Sequence, residues 1–355
     1  MQISVLTEKD EKAYTEFLLR HDQTSMVASL LFRDFLLSLT HPSIPYYFIA
    51  KEGGDIVGAL PAFMKKGKYG AVLNSLPWFG SNPGVIVDDD DVAVSLVEAF
   101  IKTAEWTNCL SVTLIASPFD SYEWAYELAF EDALTDRRVG TITELPEFVD
   151  AEDFTIKLMS KFHSKTRNQV RKSYNECYAG FCSNEYPLVD NAMLDFLMET
   201  HRENMEVVGG PVKSKEFSII GNWCIGKDVD LYVSRQKETG HQTAALLVAY
   251  FNKTVDYWVP AINVNFRHLN PLHILIFEAM KNAAKRGFKY WNWGGTTIPG
   301  MEDLLHFKQR FGGQTSIYKY YTKMSKPLPH GVTKEYWKKE YPYFFIAPFS
   351  KIGGH

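Results

Sequence analysis

The amino-acid sequence spells one succession of elements twice. In its second half, residues 231–235 read as a strand, 237–241 as a turn, and 243–252 and 254–260 as two further strands. A loop at 264–270 leads into a helix at 272–286, and an aromatic strand at 288–293 follows. The helix is legible because Leu272, Leu275, Ile276, Ala279, Met280 and Ala283 recur at helical spacing, and Gly287 stands where such a helix stops. The first half offers strands at 46–50, 56–64 and 71–76, a helix at 92–105 and a strand at 110–116, with Glu52-Gly53-Gly54-Asp55 as the first hairpin turn. Three antiparallel strands, a helix and one more strand thus recur at an offset of roughly 180 residues, as in a duplicated unit. The expected fold is α/β (α+β): two tandem domains, each a mixed, largely antiparallel sheet flanked by helices.

The expected domains are residues 1–150 and 151–325, with 326–355 an aromatic, proline-containing tail packed on a domain surface. A chain of 355 residues has room for two cores, and 46% apolar against 23% charged residues is the balance of a globular protein. Charged residues interrupt every apolar run before the roughly 20 residues that a membrane helix needs, so no integral membrane segment is expected. The opening MQISVLTEKDEKAY has neither the basic nor the apolar region of a secretion signal, which makes the cytoplasm the expected location. Cys109, Cys177, Cys182 and Cys224 lack a second pair at metal-ligand spacing and read as reduced packing thiols. A net charge of −4 gives no ground for general nucleic-acid binding, and no DNA partner is expected. Residues 5–40 read as helical, and the charged stretch before residue 150 as a connection.

Two basic elements stand out against this acidic background. Residues 155–175 hold six Lys or Arg and no acid, with Lys157, Lys161 and Lys165 on one helical spacing and Arg167 and Arg171 on another. Their two readings are a solvated helix face and an anion site. The segment HFKQRFGG places Lys308 and Arg310 in an apolar, glycine-bounded run, either on the wet side of a short helix or facing a substrate where negative charge develops. Asp256 falls in an expected strand, as a candidate general base or a solvent-facing residue. Nucleophile elbow, phosphate loop, dinucleotide fingerprint and helical zinc motif are all missing from the sequence. His163, His268, His273 and His306 have no partner at i, i+4, so they read as surface or packing histidines and no metal site is expected.

Taken in order, SKTRNQVRKS, AALLVAYFNKTVDYWVPA, NFRHLNPLHILIFEAMKNAAKRGFKYWNWGGT and LLHFKQRFGG resemble the Fem-type branch (FemAB/FemX-like) of the GNAT acyltransferase superfamily. FIAKEGGDIVGALPAFM and NSLPWFGSNPG are similar to the family's N-terminal copy, so the likeness spans residues 1–325. The resemblance implies an acyl- or aminoacyltransferase. Its donor would be acyl-CoA or aminoacyl-tRNA, with no tightly bound cofactor, and its acceptor an amine of a small molecule, sugar, peptide or cell-envelope precursor. A non-catalytic GNAT-like module binding an anionic metabolite is the alternative. Carried over to this sequence, Lys308 would stabilise the oxyanion or protonate the leaving group, with Asp256 as the candidate base. Lys165, Arg167 and Arg171 would hold phosphate or carboxylate groups. Arg267-His268-Leu269-Asn270-Pro271 stands where simple GNAT enzymes hold the CoA pyrophosphate, which makes Arg267 and Asn270 further binding candidates. Strands 243–252 and 254–260 would splay, and Tyr257, Trp258, Trp291 and Trp293 would line the cleft unless they are core. The segment 190–227 is too short for the helical hairpin that some peptidoglycan members carry for tRNA.

Overall fold

The structure is a computed structural model that describes residues 1–77, 82–119, 121–181, 192–208, 219–220 and 223–352. The chain divides into two units, Met1–Gly140 with Gly295–Met301 and Ser316–His355, and Thr141–Gly294 with Glu302–Thr315. The first begins with β1 (Gln2–Val5), and the stretch read as helical after it holds α1 (Glu11–Arg20) and α2 (Leu30–Thr40). Strands β2 (Ile44–Pro45), β3 (Phe48–Glu52), β4 (Asp55–Leu60), β5 (Phe63–Gly67), β6 (Gly70–Asn74) and β7 (Ile86–Val87) follow. The strand expected at 56–64 is two strands, because Pro61 cannot donate to a ladder and the chain changes sheets there. Helix α3 (Asp90–Trp106) is opened by Asp89, whose side chain accepts from the Asp91 amide at 3.0 Å, and acids fill its first turn. It buries Val92, Leu96 and Phe100, and β8 (Ser111–Ile115) and α4 (Glu123–Ala129) come next.

Where the sequence suggested a charged connection, β9 (Leu134–Glu144) is a strand of 11 residues. Its charges hid it: Arg138 donates to Asp136 at 2.7 Å and lies 5.1 Å over the Tyr320 ring, so the polar positions are accommodated within a pleat.

The second unit holds α5 (Ala151–Lys161), α6 (Ser164–Glu176), β10 (Cys177–Phe181), α7 (Ala192–Val208), β11 (Val229–Gln236), β12 (Gln242–Phe251), β13 (Thr254–Ile262), α8 (Pro271–Lys285), β14 (Tyr290–Thr297) and α9 (Glu302–Arg310). Its strand order is β10-β11-β12-β13-β14, antiparallel up to β13 and parallel between β13 and β14. The parallel pair requires a crossover, and α8 supplies it. Pro271 at the first turn and Asn270 in the left-handed region (φ 55°) start that helix. The six apolar residues read from its spacing are all buried, together with Ile274 and Phe277. Core packing on α8 includes Leu246 and Val248 of β12, Phe154 and Leu158 of α5, and Trp291 and Trp293 of β14.

Chain beyond α9 returns to the first unit through β15 (Gln314–Met324) and α10 (Lys334–Glu340), so the division falls after Gly140 and not near residue 150. Strand β15 pairs antiparallel with β8, and the order there is β15-β8-β6-β5-β2, beside a second sheet β1-β3-β4-β7. Within this unit the tail is anchored at both ends of one amide: Phe345 N donates to Asn74 Oδ1 at 2.7 Å, and Asn74 Nδ2 donates to the Phe345 carbonyl at 2.8 Å. Phe345 belongs to the core with Tyr320, and Trp337 and Tyr341 are buried. Truncating such a ring leaves a cavity, so Phe345→Ala should lower the unfolding free energy by about 3 kcal/mol. Urea denaturation measures it; an unchanged midpoint would mean that the tail adds nothing to this core.

Candidate active site

The HFKQRFGG run forms the end of helix α9, and its two cations separate: Arg310 is exposed, whereas Lys308 is only 3% exposed. Phe307 and Phe311 flank it in sequence with rings 5.1 Å apart, and Phe311 lies 5.3 Å from both Trp293 and His273. Desolvation in this setting disfavours the ammonium and lowers Lys308 to about 8. The charged form meets the Gly294 carbonyl, which receives Nζ–H at 3.2 Å. The glycine pair lets the chain turn directly behind this residue. Gly312 has φ +77°, and a Cβ on Gly313 would come within 2.8 Å of the Lys308 carbonyl.

Gly294 lies just past the point where two strands part. Strands β13 and β14 pair at three positions, Thr254 with Tyr290, Val255 with Trp291 and Asp256 with Asn292. The splay expected between 243–252 and 254–260 is therefore one strand over. Strands β12 and β13 stay paired along their length, with one bulge that leaves Trp258 unopposed. Pro260, which has no N–H to give, falls in the stretch of β13 that β14 no longer accompanies. At the last paired position, Asn292 Nδ2 donates to Asp256 Oδ1 at 2.8 Å, and Asn292 Oδ1 accepts from the Gly294 amide at 2.9 Å. Asp256 is 9% exposed, so it is not a solvent-facing strand residue.

Helix α6 presents the other basic element. Thr166, Val170 and Ser173 are its buried residues, while Lys165 and Arg171 are exposed. Arg167 donates to the Phe162 carbonyl at 2.6 Å, which braces the turn between α5 and α6. Arg171 donates to Asn168 at 3.0 Å, and both arginines line a cleft of about 850 Å³ with Lys281, Ile156, Met159 and Phe277. Glu278 in the same cleft accepts from the Tyr174 hydroxyl. Lys157 is paired with Asp153 at 2.8 Å, an acid two residues ahead of the acid-free window. Lys165 and Arg267 do not line this cleft, and Asn270 Oδ1 accepts from Gln169 Nε2 at 3.2 Å. The two basic elements nonetheless meet: His163 N donates to the Arg310 carbonyl at 2.9 Å, and the Phe162 and Phe311 rings are 5.1 Å apart.

The aromatics divide. Trp291 and Trp293 are 0% and 2% exposed, and Trp293 Nε1 donates to Thr143 Oγ1, so both are core and not cleft lining. They are two apart on β14 and face the same packed side. Tyr257, half-buried, lies 4.9 Å from the Trp293 ring, and Trp258 at the bulge stacks 5.3 Å from Trp223. His273 is buried against Phe307 and Phe311, and burial lowers it to about 4, which keeps it neutral at neutral pH. Sequence reasoning missed Asn292 and Lys281. The signal for Asn292 was present: a lone amide between Trp291 and Trp293 takes the opposite face of the strand from two core rings.

Among the described residues no group of three or more His, Cys, Asp or Glu could hold a metal ion, and no helix is long and apolar enough to cross a membrane. Cys109, Cys177 and Cys224 are free thiols; Cys182 lies outside the described residues, as does part of the 190–227 segment.

Residues 228–327, which hold β13, α8, β14 and the HFKQRFGG segment, match the FemAB family. Over that segment the chain is similar to the FemAB family. Its fold is similar to the crystal structure of FemX, with a TM-score of 0.68 at 13% identity over 90% of this chain and 97% of that one. It is also similar to L-PGS from Bacillus licheniformis (TM-score 0.54, 12% identity, 92% of this chain, 95% of that one). A tandem GNAT protein from the clavulanic acid biosynthesis pathway matches at a TM-score of 0.50 and 10% identity, over 92% and 99% of the two chains. No curated protein matches this one. The architecture of the chain is thus a GNAT-like mixed α/β fold.

A lysine titrating near 8 in the fold and near 10.4 when unfolded binds fewer protons in the native state between those values. The stability it costs at neutral pH is regained as pH rises from 8 to 10.4. Lys308→Met should therefore flatten the parent's rise in that window, a difference of about 3 kcal/mol at most. Denaturation at a series of pH values checks this, and parallel curves for parent and variant would contradict it.

Proposed function

We propose that Lys308 is the residue around which this FemAB-type protein transfers an acyl or aminoacyl group to an acceptor amine. One observation carries the reading: a desolvated ammonium is held by the Gly294 carbonyl, two residues past the last pairing of β13 with β14. Attack of an amine nitrogen on an ester or thioester carbonyl forms the new C–N bond and moves the carbonyl π electrons onto oxygen. A cation in a dry site stabilises that oxyanion far better than one in water. Strand β13 beyond Asp256 has no ladder to β14, so its backbone there is available to the acyl group. When the tetrahedral intermediate collapses, the C–S or C–O bond breaks and its electron pair leaves on the donor. A lysine near 8 remains protonated at neutral pH yet gives up a proton more readily than an ordinary one, which suits it to that leaving group. Asp256, next to Asn292, is the candidate acceptor for the proton lost from the amine.

The cleft of Arg167, Arg171 and Lys281 supplies the charge for the phosphate or carboxylate groups of a donor or acceptor, with Ile156, Met159 and Phe277 against its apolar part. Donor candidates are acyl-CoA and aminoacyl-tRNA, and acceptor candidates are amines of cell-envelope, sugar or peptide precursors. The likeness to a tandem GNAT protein supports reading the chain as two GNAT-like copies, with the strand-helix-strand repeat as their common part.

Transfer assays with acyl-CoA and with charged tRNA, against an amine panel, test the reading. Lys308→Met should lower kcat by about a hundredfold or more, while the melting temperature does not fall. Arg171→Ala should raise KM for the anionic substrate about tenfold with kcat preserved, as for a contact made equally in ground and transition states. Undiminished turnover in Lys308→Met would overturn the assignment, and saturable binding with no transfer from any donor would favour the non-catalytic module.

A further inference from the structure

The amide of Asn292 uses both of its ends inside the fold. Nδ2 donates across to Asp256 on β13, and Oδ1 accepts from the amide of Gly294, whose own carbonyl holds Lys308. Asn292 is 2% exposed, and its orientation follows from the partners: rotating the amide by half a turn would set oxygen against the Asp256 carboxylate and N–H against the Gly294 N–H. Gly294 has φ +73° with no atom within 4 Å of an added Cβ, so its conformation is required by the path of the chain and not by crowding. The sequence Asp256–Asn292–Gly294–Lys308 is therefore a continuous hydrogen-bonded series from the last paired position of two strands to the buried ammonium.

We propose that Asn292 is a positioning residue for acyl transfer: it fixes the Gly294 N–H and, across that residue's Cα, the carbonyl that aims the Lys308 ammonium into the gap between β13 and β14. The inference rests on the assignment of Lys308 as the reacting cation, and it adds the residue that sets where that cation points. A side chain that merely satisfied the Gly294 amide within β14 would need Oδ1 alone. The second bond, from Nδ2 to Asp256 on the neighbouring strand, ties this part of β14 to the site at which the strands separate. The elements around α9 bring Asp256 of β13 through Asn292, neutral His273 of α8 against Phe307 and Phe311, and Lys161 of α5 at Gly312 into these surroundings. Burial accounts for the lowering of Lys308.

The test reads Lys308 directly. Competitive acetylation with acetic anhydride across a pH series, quantified by peptide mass spectrometry, gives the titration midpoint of Lys308 without any substrate. Asn292→Ala frees the Gly294 carbonyl, and loss of a fixed acceptor for a charged donor should move that midpoint down by about one pH unit. Asp256→Asn combined with Asn292→Asp exchanges donor and acceptor at the strand pair while keeping an oxygen for the Gly294 amide, and should bring the midpoint back to the parent's or above it. If Asn292→Ala does not fold, the exchanged pair decides alone: a folded protein with a midpoint at or above the parent's supports the proposal, and a shifted-down midpoint overturns it. A folded Asn292→Ala with an unmoved midpoint likewise overturns it, whatever its melting temperature. With a donor in hand, Asn292→Ala should lower kcat about tenfold at constant KM. Failure of the Lys308 assignment would show separately, as full turnover in Lys308→Met.

Discussion

The desolvation of one ammonium group is the constraint on which the functional part of this fold depends. An ammonium as buried as that of Lys308, on a helix whose Phe307 and Phe311 rings pack with Trp293 and His273, would be expelled or neutralised unless something charged or polar met it. The Gly294 carbonyl does so, and the conformations of several other elements follow from keeping it there. Gly294 must adopt a positive φ, Asn292 must cap its amide, and the strand carrying both must leave its neighbour after Asp256. The helix that delivers the lysine must then turn at once, which Gly312 and Gly313 allow.

The same group connects the two motifs that are far apart in sequence. The Phe162–His163 turn lies against Phe311 and donates to the Arg310 carbonyl, while Arg167 braces that turn from α6. Arg167 therefore works on the fold and lines the cleft at once, so its removal would perturb α9 as well as an anion. Arg171 makes only a short bond to Asn168 on its own helix and reports on the cleft more cleanly.

Much of this was legible in the residues. The helical spacing in α8, the aromatic strand after it and the oddity of Lys308 in an apolar run all survive in the structure, because each is a local pattern matched by its surroundings. What failed was what depends on register. Strand β9 was hidden by Asp136 and Arg138, whose charges find partners on the strand itself and over Tyr320. Trp291 and Trp293 were candidates for a cleft wall, but nothing in a one-dimensional pattern tells which face of a strand is covered. The parting of strands was placed one strand away, since only pairing partners reveal where a ladder stops. Family likeness supplied the class of chemistry, and Asn292 emerged only when its two hydrogen bonds could be seen together.

The most direct measurement is a titration of the Lys308 side chain in the folded protein by carbon and nitrogen NMR, with the resonance assigned by its loss in Lys308→Met. A midpoint near 8 is the predicted result, as burial beside the strand gap requires. A midpoint near the ordinary lysine value of about 10.4 would place the ammonium in water and contradict the account.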